Sequence, residues 1–215
     1  MSDTYIGPQP ANLPKAVLGL SRRKPRQLPV NVLPIIAIDP GQTTGWSLLV
    51  LRRSLRERDI FAWNLDTILR SKKTWQHGEI HSLGCEDDAV FRLYKMIDEW
   101  PSAAVIVEDF ILRSERKEKS RELLSPVRIT AKIETYLWRN GRPMFLQQAS
   151  QAKTTVTDER LALWGCKAND GLPDHARDAD RHAILFARRC LGPAGVGMKR
   201  LAWPHIYAQD EDVAM

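Results

Sequence analysis

Two short apolar runs, each ending in a carboxylate, constrain this chain more than anything else in it. Ile35-Ile36-Ala37-Ile38 runs into Asp39, and Ala103-Ala104-Val105-Ile106-Val107 runs into Glu108. A continuous apolar run, without the alternation of a half-exposed strand, reads as a strand covered on both faces. Such strands need helices above and below them, which points to an α/β architecture. A carboxylate set against a core is costly to desolvate unless it has a partner, and in open α/β sheets functional groups gather at the carboxyl ends of strands. If the two strands are parallel neighbours, their ends lie about 5 Å apart. Carboxylates that close repel unless a cation sits between them, and hard oxygen donors of this kind suit Mg²⁺ or Mn²⁺.

The remaining elements build a sheet around these runs. Asp39-Pro40-Gly41 is a turn signal, so residues 46–51 read as a second strand returning antiparallel. The charged stretch 52–75 reads as an excursion within that hairpin, and 77–83 as a third strand. Val90, Leu93, Tyr94, Ile97 and Trp100 recur at helical spacing. Pro126 opens a second helix with Ile129, Ile133, Tyr136 and Leu137 facing inward, and Gly141 ends it. Residues 144–147 form a fifth strand, and a final helix covers about 174–189. A meander followed by strand–helix alternation predicts a mixed sheet of five strands, three antiparallel and then two parallel, flanked by helices. The folded domain spans 32–191. Residues 1–31, with the cluster Arg22-Arg23-Lys24-Pro25-Arg26, read as a flexible basic arm. Residues 192–215, opened by Gly192-Pro193, read as a tail.

The last helix carries further donors. His175 and Asp178 are three apart and share a face, and His182 extends their row by four. His182 reads either as a packed group or as one that supports the ligands. Ala176, Ala179, Ala183 and Ala187 run beside this row, and small residues there let the helix approach the sheet closely. Asp180 points elsewhere and is left out. Asp174 stays open between an additional ligand and an N-cap following Pro173.

Bulk properties narrow the partners. The 215-residue chain has a net charge of +6, which fits a polyanionic partner such as nucleic acid. Three cysteines, an odd count with no close pair, argue against a disulfide framework or zinc knuckle and fit a reducing cytoplasm. No apolar run suggests a membrane span, and the N-terminus has no secretory pattern. Arg113, Arg116, Lys117, Lys119 and Arg121 follow the second carboxylate, and Lys153 lies further on. They are candidate DNA phosphate contacts, although Glu115 and Glu118 interleave the run as they would in a solvated loop. Trp46, Trp100, Trp138 and Trp164 read as core.

These motifs resemble a known family. Ile38-Asp39-Pro40-Gly41 with Thr44-Gly45 resembles the first-strand motif of RuvC-like Holliday junction resolvases; Val107-Glu108 resembles their second motif, and His175-Ala176-Arg177-Asp178-Ala179 their last-helix motif. The order and spacing match over roughly residues 34–190, and residues 147–160, with Lys153, look most similar to phage and actinobacterial members. The resemblance implies an RNase H-like fold and a homodimer that nicks a four-way DNA junction symmetrically. It implies two-metal-ion hydrolysis giving 5′-phosphate and 3′-hydroxyl ends, with Asp39, Glu108, His175 and Asp178 as ligands and Asp39 bridging the ions. One departure is Ile111, which stands where bacterial members often carry a junction-probing aromatic; Phe110 is one residue earlier.

Three other readings stay open. The substrate of the same fold extends to flaps and forks; the chain is a catalytically inactive DNA-binding scaffold; or Asp39, Gly41, Thr43 and Thr44 form an actin- or sugar-kinase-like phosphate loop. That last fold needs two such domains, and no second phosphate loop is found in the sequence.

Overall fold

The computed structural model describes residues 32–52, 69, 73–82, 85–111, 121–164 and 174–204. The strands are β1 (Val32–Asp39), β2 (Thr43–Arg52), β3 (Lys73–His81), β4 (Ala104–Asp109) and β5 (Met144–Gln148). The helices are α1 (Glu86–Glu99), α2 (Arg121–Arg139), α3 (Ala149–Thr155), α4 (Asp158–Leu163), α5 (Asp174–Leu191) and α6 (Val196–Ala202), with a 3₁₀ turn at Pro193–Gly195. One sheet holds the strands in the order β3-β2-β1-β4-β5. β1–β2 and β2–β3 are antiparallel, whereas β1–β4 and β4–β5 are parallel. This is the mixed five-stranded arrangement expected above, three antiparallel strands and then two parallel.

Every residue of β1 is buried, because alternate side chains enter two separate cores. Leu33, Ile35 and Ala37 join Leu49, Leu51 and Ile106 under Ala183, Ile184 and Phe186 of α5. Val32, Ile36 and Ile38 join Val50, Val105 and Val107 under Val90, Leu93 and Ile97 of α1 and Ile129, Ile133 and Leu137 of α2. The first turn of α1 carries Glu86, Asp87 and Asp88, which favour the positive end of a helix dipole. Gly141 follows α2 with φ of 64°, and the next amide, Arg142 N, reaches back to the Leu137 carbonyl at 2.9 Å, closing the helix as an αL residue does.

Several expectations change. β3 starts at Lys73, inside the stretch assigned to the excursion; most of 52–75, like the arm 1–31, lies outside the described residues. Pro126 lies inside α2, not at its start; its missing N–H removes one bond near the first turn. Trp138 is 43% exposed and is not a core residue, unlike Trp164 at 3%.

The C-terminal boundary also moves. Residues 193–203 are not a tail: α6 folds back, and Trp203 is fully buried against Phe186. Its Nε1–H donates to the Pro34 carbonyl at 3.0 Å. β1 pairs with β4 only from Ile35 onward, so Pro34 faces an open sheet edge, which tolerates proline and which Trp203 covers. Among the described residues, no helix is long and apolar enough to cross a membrane.

Candidate active site

β1 and β4 pair through Ile38 and Val107, so the next residue of each, Asp39 and Glu108, leaves the sheet at the same end. Alternation sends both toward α5: Asp39 follows Ile35 and Ala37 onto that face, and Glu108 follows Ala104 and Ile106. The turn after β1 is held by Thr44, whose buried hydroxyl donates to the Gly41 carbonyl at 2.9 Å and accepts from the Gly41 amide at 3.3 Å.

The stripe Ala176, Ala179, Ala183 and Ala187 is fully buried, so α5 lies close on the sheet. The tightest approach is at Gly45, which pairs with Asp39 across β1–β2. A Cβ at that position would stand 2.0 Å from the His175 carbonyl oxygen and 2.8 Å from the Ala176 amide nitrogen. Only a residue without a side chain admits the first turn of α5 there.

Successive turns of α5 then present polar groups to the strand ends. His175 Nδ1 is 2.8 Å from Asp39 Oδ2. Asp178 Oδ2 is 2.8 Å from Lys153 Nζ of α3, and its other oxygen accepts from Arg181. Arg181 also binds Asp158 and the Val156 carbonyl. His182, fully buried, places Nε2 2.9 Å from Glu108 Oε2 and Nδ1 3.2 Å from Gln147 Oε1. Asp39, Glu108, His175 and Asp178 therefore come together, with Lys153, expected only as a phosphate contact, bound to Asp178 and His182 set against Glu108.

Charge in this cluster is unbalanced. Burial, then repulsion from Glu108, raises the Asp39 carboxyl to about 6, with the His175 hydrogen bond pulling the other way. The Lys153 ammonium is pushed up from its ordinary value, first by its hydrogen bond to Asp178 and further by the charges of Asp178 and Glu108. The donors are hard oxygens with one imidazole, and their mutual repulsion suits a divalent cation. Among the described residues, no three of these donors are spaced to share an ion as they stand, because each carboxylate is turned to a protein cation or imidazole. Asp178 has both oxygens engaged. A cation would have to displace Lys153 or Arg181 from it.

Other expected residues fall elsewhere. Asp174 opens α5 with an exposed side chain bound to Arg177, away from the cluster. Arg113, Arg116, Lys117 and Lys119 lie outside the described residues, and Arg121 is the first residue of α2. Ile111, just past β4, is 59% exposed. Asp180 is off the site, but it is fully buried and accepts from Trp75 Nε1 at 2.7 Å while facing His77 Nδ1 at 2.7 Å, tying α5 to β3. Two residues escaped sequence reasoning. Glu79 pairs across β2–β3 with Gly45, and its Oε1 accepts from the His175 amide at 3.3 Å. Gln147 sits beside Glu108 in the β4–β5 register. The period of two in Trp75, His77 and Glu79 was a usable signal for the first; the second needed the strand register.

No protein-family model matches the chain. No curated protein matches it. Among solved structures, it is similar to T. thermophilus RuvC in complex with a Holliday junction substrate, with a TM-score of 0.47 and 15% identity over 75% of this chain and 97% of that one. It is also similar to a second Thermus thermophilus RuvC structure, with a TM-score of 0.46 and 15% identity over 74% of this chain and 95% of that one.

Proposed function

We propose that this chain is a divalent-metal-dependent endonuclease that resolves four-way DNA junctions and related branched DNA as a homodimer, leaving 5′-phosphate and 3′-hydroxyl ends. The observation that carries the proposal is the convergence of Asp39 and Glu108, from adjacent parallel strands, with His175 and Asp178 from the helix above them. The junction as substrate, the dimer and the end chemistry rest on the motif resemblance.

Asp39, Glu108, Asp178 and His175 would hold Mg²⁺ or Mn²⁺, two ions per site, which when bound supply an activated water and stabilise the leaving 3′ oxygen. The chain's own residues do the rest. Asp39 is held by His175 Nδ1, which fixes the direction of its carboxylate. Lys153, 2.8 Å from Asp178, would be available to pair with a DNA phosphate if that carboxylate held a cation instead. Arg113, Arg116, Lys117, Lys119 and Arg121 are proposed phosphate contacts beyond β4, with the 1–31 arm adding non-specific attraction.

The test is cleavage of a labelled four-way junction against duplex, flap and fork, with Mg²⁺ or Mn²⁺. Paired symmetric nicks on the junction are expected, and Asp39→Asn should abolish them while leaving DNA binding intact. Near wild-type cleavage by that variant would sink the assignment; equal cutting of all branched forms would make this a broader debranching nuclease.

A further inference from the structure

We infer that His182 is a positioning residue for Glu108, donating from Nε2–H to the carboxylate, and that Gln147 sets the tautomer that makes this possible. The inference rests on the nuclease reading above for its functional consequence, though not for its geometry. His182 has no exposed surface, and its two ring nitrogens face two different strands: Nε2 lies 2.9 Å from Glu108 Oε2 on β4, and Nδ1 lies 3.2 Å from Gln147 Oε1 on β5. A carboxylate only accepts hydrogen bonds, so the nitrogen facing it carries the proton.

A neutral ring protonated at Nε2 offers a lone pair at Nδ1, which needs a donor. Gln147 is 3% exposed, and its Nε2 has no hydrogen-bond partner among the described residues. A half-turn of the Gln147 amide exchanges its oxygen and nitrogen. That brings the orphaned N–H to the Nδ1 lone pair and leaves a buried carbonyl oxygen in its place, a group more often found under-satisfied than an amide hydrogen. The chain Gln147 N–H to His182 Nδ1, then His182 Nε2–H to Glu108, fixes one carboxylate oxygen, Oε2. Helix α5 thus supplies both the donors beside Asp39 and the group that aims Glu108.

The test joins a spectroscopic arm with a kinetic one. In the ¹⁵N-labelled full chain without metal, His182 should show the Nε2–H tautomer, with a ring N–H signal that shifts in Glu108→Ala and a tautomer balance that changes in Gln147→Leu. A proton on Nδ1 with none on Nε2, or a signal unmoved by Glu108→Ala, would overturn the hydrogen bond, and protons on both nitrogens would overturn the tautomer role of Gln147. In cleavage assays, His182→Leu should lower kcat by about 10- to 100-fold, the usual cost of losing a group that orients a ligand, with KM for DNA little changed. His182→Gln, whose amide N–H can reach the same oxygen, should recover most of the loss. A folded His182→Leu protein that cuts at the wild-type rate would overturn the positioning role. If the wild-type chain cuts no DNA, the nuclease reading fails, and the spectroscopic arm still decides the hydrogen bond.

Discussion

Replacing Gly45 with alanine tests the geometry on which the whole site depends. No strained backbone is involved at this position, so the penalty is purely one of space. The added methyl carbon would begin 2.0 Å from the His175 carbonyl oxygen, where real contacts almost never fall below 3.0 Å. The obstacle is helix backbone, which cannot swing aside like the end of a long side chain. The first turn of α5 must therefore withdraw from β2 by at least about 1 Å. Overpacking of this kind costs about 1–3 kcal/mol, equivalent to a fall in Tm of about 2–12 °C for a domain of this size. The functional loss should be larger than the stability loss. His175 sits on the displaced turn, and a misplacement of about 1 Å can cost about 100-fold in rate. Thermal unfolding and junction cleavage by Gly45→Ala, measured at a temperature where the variant is fully folded, give the two numbers separately. An unchanged Tm together with unchanged cleavage would refute the close approach of α5, and with it the placement of His175 against Asp39.

Two further outcomes can be checked by unfolding in urea. Burial and Glu108 raise the Asp39 carboxyl from 3.8 to about 6, so the folded state keeps a proton that the unfolded chain has already released. The resulting destabilisation is absent below about pH 4, grows as pH rises and is complete above about pH 6. In EDTA, Asp39→Asn should therefore stabilise the protein by up to about 3 kcal/mol at pH 8 and by clearly less at pH 4.5; an equal gain at both would count against the raised carboxyl. Trp203→Ala removes a fully buried indole and its bond to Pro34 and should cost about 3–5 kcal/mol, whereas a residue in an unstructured tail would cost close to nothing.

Much of the fold was legible because its signals are local. β1 and β4 announce themselves as unbroken apolar runs, since each is covered on both faces. The stripes on α1 and α5 recur at the helical period and are buried where that period places them. The readings that failed depended on what lies across the sheet or at its rim. Trp203 follows a short helix, α6, whose place depends on an open edge of β1 far away in the chain. Glu79 and Gln147 enter the site only through strand register, and Trp138 has an ordinary helical spacing whose exposure local pattern does not reveal.

By itself, the sequence determined which residues are the candidates for the chemistry: carboxylates at the ends of Ile35–Ile38 and Ala103–Val107, and a polar row beside small residues on the last helix. Periodicity and turn chemistry are properties of neighbouring residues, so they can be read without knowing the fold. Only the tertiary structure decided how those residues are held. It set His175 over Gly45, bound Asp178 to Lys153 and Arg181, and aimed His182 at Glu108. Such pairings join residues distant in sequence, and they form only when strand register and helix docking bring them within hydrogen-bond reach.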